Sequence, residues 1–214
     1  SVCALCLPAF AVGGDFYDHY TSRRGVIFTV ADVMGKGLGA AILTASVRSA
    51  LRAASHAVDM IPAGTDLADA VNSVADQLSD DLSSTDTFVT LFHARLETAS
   101  GKVSYVDAGH GFAVVVRRGG VVEPLSSEGL PLGVLPDDRW VAKDVVLETG
   151  ETLVIASDGV LDLIGDGIDV RPALEFVAEH SEPAELCAQA RAMVAANTPF
   201  DDVTLVAIRR ESTG

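Results

Sequence analysis

Basic residues are scarce in this chain. Its 214 residues include 15 Lys and Arg against 30 Asp and Glu, giving a formal net charge of −15 and an isoelectric point near 4.5. So acidic a surface is a poor match for DNA, RNA or an anionic membrane. It would also repel a phosphorylated substrate, unless bound cations reverse the field locally. Cysteine is rare too. Cys3, Cys6 and Cys187 are an odd number and make no disulfide framework, which points to a reducing cytosol and a cytoplasmic protein. Cys3 and Cys6 have C-x-x-C spacing, but no second C-x-x-C or H-x-x-x-H completes a zinc site. On a strand the two would face opposite sides, so they read as small buried hydrophobes. No apolar run approaches the roughly 20 residues needed to span a bilayer, and no signal-peptide pattern stands at the N-terminus. The chain opens at once into the apolar stretch Val2 to Leu7, like a domain excised from a larger multidomain regulator.

What is present is apolar and well patterned. Apolar residues make up 49% of the chain, enough for a sizeable core, and no repeat or low-complexity linker interrupts it. Residues 1–214 therefore read as one domain. Residues 2–7 and 15–20 read as strands, Ser22-Arg23-Arg24-Gly25 as a turn, and Val26 to Ala31 as an apolar strand ending at Asp32. The alanine-rich pattern from Leu38 to Ala54 predicts a helix with Ile42, Leu43, Val47, Ala50 and Leu51 on one face. After a loop holding Pro62 and Gly64, Asp66 caps a second amphipathic helix striped by Leu67, Val71, Val74 and Leu78. Four runs then alternate with glycine turns and read as an antiparallel meander: Thr87 to Leu96, Val103 to Ala108, Phe112 to Arg117 and Val121 to Leu125. The turns are Ser100-Gly101, Gly109-His110-Gly111 and Gly119-Gly120. Val141 to Leu147 and Thr152 to Ala156 add two strands across the Thr149-Gly150 turn. Helices near 169–179 and 183–196 precede a last strand, Val203 to Ile208. Helix pairs set between runs of strands predict an α+β fold, with two sheets face to face and helices outside.

Four strand-like segments carry aspartate at their ends. They are Gly13-Gly14-Asp15-Phe16-Tyr17-Asp18, Val30-Ala31-Asp32-Val33-Met34-Gly35, Ile155-Ala156-Ser157-Asp158-Gly159 and Phe200-Asp201-Asp202-Val203-Thr204. Carboxylates brought together by strand ends repel one another, and some protonate unless a cation sits between them. An all-oxygen set suits Mg2+ or Mn2+ rather than zinc. The segments point to a metal-dependent enzyme acting on phosphate. Asp32 is the strongest candidate, because it ends a buried strand before a glycine-bearing turn. Asp15 and Asp18 fall on opposite faces of an extended backbone, leaving Asp15 for a metal and Asp18 as a support from outside. Gly35-Lys36-Gly37-Leu38-Gly39-Ala40 matches the G-x-G-x-x-A of dinucleotide-binding folds. A second helix follows where a parallel strand is required, however, and Asp32 would repel a pyrophosphate, so the match is a decoy. His110 is either a general acid or an exposed turn histidine. His19, His56, His93 and His180 have no ligand spacing, and Ser157 lacks a G-x-S-x-G setting for a nucleophile.

Seven segments in series carry a resemblance. They are Val12-Gly13-Gly14-Asp15-Phe16-Tyr17-Asp18, Asp32-Val33-Met34-Gly35-Lys36-Gly37, Thr87-Phe88-Val89-Thr90-Leu91-Phe92, Ala108-Gly109-His110, Gly129-Leu130-Pro131-Leu132-Gly133, Ser157-Asp158-Gly159-Val160 and Asp201-Asp202-Val203-Thr204-Leu205. Together they resemble the metal-dependent protein phosphatase (PPM, phosphatase 2C-like) superfamily, in its bacterial branch typified by SpoIIE and RsbU. The resemblance implies a four-layer α-β-β-α sandwich with two central, mainly antiparallel sheets. It implies two Mn2+ or Mg2+ ions, a third near Asp158 and Asp201 being left open. By motif, Asp32 would bridge both ions, Asp15 and the Val33 carbonyl would serve one, and Asp158 and Asp201 the other. Asp202 stands where the wider superfamily has Asn and is the alternative ligand to Asp201. Asp15, Asp32, Asp158 and Asp201 are thus the implied catalytic set, with a hydroxide between the ions attacking a phosphoserine or phosphothreonine. The implied substrate is a phosphorylated anti-anti-sigma factor. A sensor domain or activating protein would act on the two helices after Asp32, and no nucleic acid or membrane insertion is implied. Two departures stand out. Met34 occupies the place of a histidine in eukaryotic members, and no arginine precedes Asp15 to bind the phosphate. Lys36, His110 and metal-bound water are the candidate substitutes. The alternative reading is a non-catalytic module of the same fold that binds a phosphoprotein, against which the retained carboxylates stand.

Overall fold

The computed structural model describes residues 1–9, 13–35, 37–61, 66–127, 129–165 and 169–212. Val12, Lys36 and the loop with Pro62 and Gly64, all singled out from sequence, lie outside the described residues. The chain begins with β1 (Val2–Leu7), β2 (Asp15–Ser22) and β3 (Gly25–Val33), then α1 (Leu38–Met60) and α2 (Leu67–Ser84). Six strands follow: β4 (Val89–Leu96), β5 (Lys102–Ala108), β6 (Ala113–Val116), β7 (Val122–Pro124), β8 (Lys143–Val146) and β9 (Thr152–Ala156). Helices α3 (Asp158–Ile164), α4 (Arg171–Glu179) and α5 (Pro183–Ala196) lead to β10 (Val203–Arg209).

The strands form two five-stranded antiparallel sheets, ordered β2-β3-β4-β5-β8 and β1-β10-β9-β6-β7. Strand alternation divides the apolar side chains into three layers of core. Phe28 and Val30 of β3 point between the sheets, where they meet Ile155 of β9 and Val206 of β10. Ala31 and Val33 point the other way, against Val47 and Leu51 of α1 and Val71 and Val74 of α2. Leu5, Val154 and Leu205 bury the outer face of the second sheet under Val177 of α4 and Leu186 of α5. This is the expected α-β-β-α layering.

Asp66 caps α2 as its position predicts, accepting from the Ala68 and Asp69 backbone N–H groups while the Asp69 side chain accepts from the Asp66 N–H. Such a reciprocal cap contributes about 1 kcal/mol. Helix α1 runs six residues past Ala54 to Met60, because tertiary contacts extend it. Ser55 Oγ lies 3.0 Å from His93 Nε2, and Arg95 donates to Asp59 at 2.9 Å. His93 is fully buried, with Thr29 Oγ1 2.8 Å from its Nδ1, and burial drives its pKa down to about 3. It is a neutral structural bridge, as its lack of ligand spacing suggested.

Several expectations fail. Ile42 was assigned to the buried face of α1 but is 60% exposed. The meander does not exist as one sheet: β4 and β5 pair in the first sheet, whereas β6 and β7 pair in the second. Gly109-His110-Gly111 is therefore a crossover between layers. The Thr149-Gly150 turn likewise joins β8 and β9 of different sheets. Helix α3, seven residues long, is too short to reveal a period and was missed. Reading the cysteines as unpaired hydrophobes also fails for two of them. Cys3 and Cys187 form a disulfide, with Cα atoms 6.4 Å apart. Cys3 lies on the face of β1 that packs against α5, a proximity between residues 184 positions apart that spacing cannot reveal. The inference from cysteine count to a reducing compartment loses its premise. Cys6 faces the opposite side, as alternation requires, and is free. Among the described residues no helix is long and apolar enough to cross a membrane.

Candidate active site

The site forms where β2 and β3 of one sheet meet the ends of β9 and β10 of the other. Antiparallel pairing sets Asp15 directly opposite Asp32. Directly paired residues share a face, and this face is the one that carries Tyr17, Phe28 and Val30 between the sheets. Across the gap, Ser157 locks the second sheet's contribution. Its N–H donates to the Thr204 carbonyl at 2.9 Å, and its hydroxyl accepts from the Thr204 N–H at 3.0 Å and donates to the Asp202 carbonyl at 3.1 Å. Asp158, Asp201 and Asp202 are thereby held against one another.

Two glycines permit the approach. A Cβ at Gly14 would lie 2.2 Å from the Val33 carbonyl oxygen and 2.8 Å from Asp32 Oδ1. One at Gly13 would stand 1.6 Å from Asp202 Oδ2. Both positions need the missing side chain for close packing.

Burial and mutual repulsion shift these carboxyl groups. The Asp15 pKa rises to about 8, first through burial and then through the Asp32 charge, with the Thr204 and Ser157 hydroxyls opposing the shift. Asp15 Oδ2 and Thr204 Oγ1 are nevertheless both buried without a well-formed hydrogen bond. Asp32 rises to about 6, through burial and then the charges of Asp158, Asp201 and Asp202. The neighbouring Asp15 carboxyl opposes this by hydrogen bonding. Asp158 is raised by desolvation and by Asp201. Among the described residues no three His, Cys, Asp or Glu groups stand close enough to ligate an ion as positioned. The donor set nonetheless fits a hard divalent cation. It is all oxygen, it repels itself, and it includes an orphaned carboxylate oxygen at Asp15. A cation between such carboxylates relieves the repulsion that otherwise raises their pKa values.

The remaining candidates separate. Asp202 is buried, and both its oxygens accept from backbone, one from the Ala9 N–H at 2.8 Å and the other from the Asp15 N–H at the start of β2 at 3.3 Å. Asp18 points to the helix side, where Arg52 Nε and Nη2 bind it at 2.5 and 2.6 Å and Arg48 at 3.2 Å. Burial pushes its pKa up, but the two arginines outweigh that and hold it low. The outside support expected of Asp18 is thus a clamp on α1. Arg48 and Arg52 were not foreseen, although their i, i+4 spacing on α1 puts both on one face. Ser157 and Thr204 were also missed as positioning groups. His110 is not an exposed turn residue. Both its ring nitrogens are buried without a hydrogen-bond partner, and burial lowers its pKa to about 4, with the Ala156 backbone opposing.

The raised carboxyl groups carry a pH signature. A carboxyl whose folded pKa exceeds its unfolded value stabilises the fold at low pH, and that contribution is lost as pH rises through the folded value. The metal-free protein is expected to lose thermal stability between about pH 4 and 8. Added Mn2+ is expected to raise the melting temperature by an increment that grows over the same range. Calorimetry in EDTA and in Mn2+ reads both. A metal-free melting temperature that climbs between pH 6 and 9 would contradict the assignment of Asp15 and Asp32 to one cluster.

The family model described as Stage II sporulation protein E (SpoIIE) matches residues 22–211. The chain belongs to the SpoIIE family. It is 27% identical over 226 residues to the phosphoserine phosphatase RsbU of Bacillus subtilis, covering 97% of this chain and 62% of RsbU. It spans less than two thirds of the curated relatives it matches. Its fold superposes on the RsbU and RsbW domains of Rv1364c from Mycobacterium tuberculosis with a TM-score of 0.82, at 24% identity, covering 99% of this chain and 60% of that one. A second neighbour is the catalytic domain of the serine threonine protein phosphatase PstP in complex with two manganese ions. It has a TM-score of 0.69 and 17% identity, with 97% and 96% of the two chains covered. This chain shares its layering with these two structures, and its carboxylate cluster sits at one end of it.

Proposed function

We propose that this domain is a Mn2+- or Mg2+-dependent phosphatase acting on phosphoserine or phosphothreonine in a regulatory protein. One observation carries the reading. Asp158, opening α3 just after β9, and Asp201, just before β10, come close enough to Asp32 near the end of β3 for their charges to raise its pKa. Asp32 would take the central position, with Asp15 and the Val33 carbonyl on one side and Asp158 and Asp201 on the other, holding two ions. Asp202, committed to backbone N–H groups, would position Asp15 rather than bind metal. Divalent ions in such a site neutralise phosphoryl oxygens and make water a better nucleophile near neutral pH. The chain's own part is to hold the carboxylates converged and to keep His110 neutral, so that its imidazole carries no proton to donate from an imidazolium at pH 7.

As the resemblance to the SpoIIE and RsbU branch implies, the substrate would be a phosphorylated anti-anti-sigma-type protein, with a sensor domain or activating protein working through α1 and α2. Two contacts support the latter. Thr44 of α1 donates to the Gly14 carbonyl at 3.2 Å, and Arg48 and Arg52 grip Asp18 three residues beyond Asp15. A shift of α1 would therefore pull on both ends of the Asp15 segment. The test is hydrolysis of p-nitrophenyl phosphate and of a phosphoserine peptide with Mn2+ or with EDTA. Turnover that requires Mn2+ is the expected result. Mn2+ binding by calorimetry without turnover on either substrate would overturn it in favour of a non-catalytic phosphoprotein-binding module.

A further inference from the structure

Strand β1 stands at the edge of its sheet and pairs on one side only, with β10. Leu5 is its one buried side chain, so apolar burial holds it weakly, and an edge strand so placed is free to fray. Its two ends are tied to very different things. Near the start, Cys3 is bonded to Cys187, on the buried face of α5 that also carries Leu186 and Ala190. Apart from that bond, the strand is held by its pairing with β10 and by exposed bonds from Ser1 to Arg209 and Glu211. At its other end β1 runs into the carboxylate cluster. Cys6 lies opposite Thr204, and its thiol donates to the Asp15 carbonyl at 3.6 Å. Leu7 lies opposite Val203, and two residues later the Ala9 N–H donates to Asp202 Oδ1 at 2.8 Å. The second oxygen of Asp202 accepts from the Asp15 N–H. Asp15 is thus braced at its carbonyl by Cys6 and at its N–H by an aspartate that Ala9 holds. A covalent tie at one end of the strand and the braces of the site at the other make β1 a mechanical link between them.

We propose that the Cys3–Cys187 disulfide is a reversible redox site whose reduction releases β1 and weakens the hold of the carboxylate cluster on a divalent ion. This rests on the reading of that cluster as a Mn2+ or Mg2+ site. A dithiol reductant supplies the two electrons. One of its thiolates attacks Cys3 Sγ, since Cys3 is only partly buried whereas Cys187 is 4% exposed. The Cys3–Cys187 bond breaks and its electron pair leaves on Cys187 Sγ, which takes up a proton. The second thiolate of the reductant then displaces Cys3, which is protonated in turn, and the reductant departs as its own disulfide. With both thiols free, β1 keeps its partner strand but frays more readily, and the braces on Asp15 and Asp202 loosen with it. The cross-link also closes a loop spanning 184 positions, so its loss lowers overall stability as well.

The test compares the oxidised protein with protein reduced by dithiothreitol and then freed of it under nitrogen. Mn2+ affinity is read by titration calorimetry at a temperature where circular dichroism shows both forms folded. Hydrogen exchange of the metal-free protein is followed by mass spectrometry. The reduced form is expected to bind Mn2+ at least about fivefold more weakly, the scale of one lost buried hydrogen bond. Residues 2–9 and 13–20 should exchange faster in it. Cys3→Ser/Cys187→Ser should match the reduced wild type and be indifferent to the reductant, while Cys6 stays in place. Equal Mn2+ affinity in the two wild-type forms overturns the proposal. So does a double variant that dithiothreitol shifts as far as it shifts the wild type, because the effect would then lie elsewhere. Finding every cysteine free by thiol titration of the unreduced protein overturns it too. A reduced protein that is unfolded at every temperature does the same, since the bridge would then be a structural staple and not a switch. Faster exchange in residues 13–20 on reduction, in a protein that binds no Mn2+ in either form, supports the release of β1 while sinking the metal reading.

Discussion

Asp32→Ala is expected to lower Mn2+-dependent hydrolysis of p-nitrophenyl phosphate by roughly 10³-fold or more, the loss of about 4 kcal/mol of metal-assisted stabilisation. The fold should persist. Asp32 sits at the end of β3 with its backbone already paired to Asp15 and Thr90, and its carboxylate is a source of repulsion in the metal-free protein. Removing it takes one charge from beside Asp15, whose pKa should fall from about 8. The metal-free variant should therefore melt at or above the wild-type temperature while binding Mn2+ more weakly. Steady-state kinetics, circular dichroism and calorimetric metal titration separate these effects. Unchanged turnover would remove Asp32 from the centre of the site, and unfolding would mean its role is structural.

Asp59→Ala should be among the most destabilising single changes in the domain. Asp59 on α1 and Arg95 on β4 form an ion pair at 2.9 Å with side chains only 3% and 7% exposed. Arg95 Nε already lacks a hydrogen-bond partner, so its guanidinium depends on Asp59. Deleting the carboxylate strands a buried cation and also deprives the Arg23 N–H of its acceptor. The cost should be about 3–5 kcal/mol. For a domain of this size that is a fall of roughly 10 °C in melting temperature. Replacing both partners by apolar residues, as Asp59→Leu/Arg95→Met, should recover most of the loss, because no charge then remains buried. A double variant no more stable than Asp59→Ala would show that the pair contributes something beyond mutual compensation. If Asp59→Ala melts within 2 °C of the wild type, α1 is not held by this pair.

The same helix explains where sequence reading succeeded and where it stopped. Leu67, Val71, Val74 and Leu78 of α2 repeat at helical spacing and are all buried, so period alone identified that face. On α1 the alanines blur the stripe. Ile42 fits the period as well as Val47 does, yet only Val47 meets the sheet. The end of α1 was equally hidden, because Ser55 and Asp59 look like surface residues until His93 and Arg95 are brought opposite them. The four aspartate segments were legible because each joins an apolar run to a short polar loop. Alternation also set Asp18 apart from Asp15, but it could not separate Asp201 from Asp202. Asp202 turns to the backbone of Ala9 and Asp15, a distinction between adjacent residues of one type that local pattern cannot make.

Local chemistry thus determined every element but α3, the layer order and the aspartates as a class. Alternation and helical period are properties of a few consecutive residues, and so is a strand's ending in a carboxylate. Only the tertiary structure decided that β5 and β6 belong to different sheets, that Cys3 reaches Cys187, that the His110 ring nitrogens are buried, and that Leu38 and Ile42 stay outside. Each of these depends on which distant surface arrives to cover a residue. The free energy of that choice is spread over the whole core and leaves no mark in the immediate neighbours.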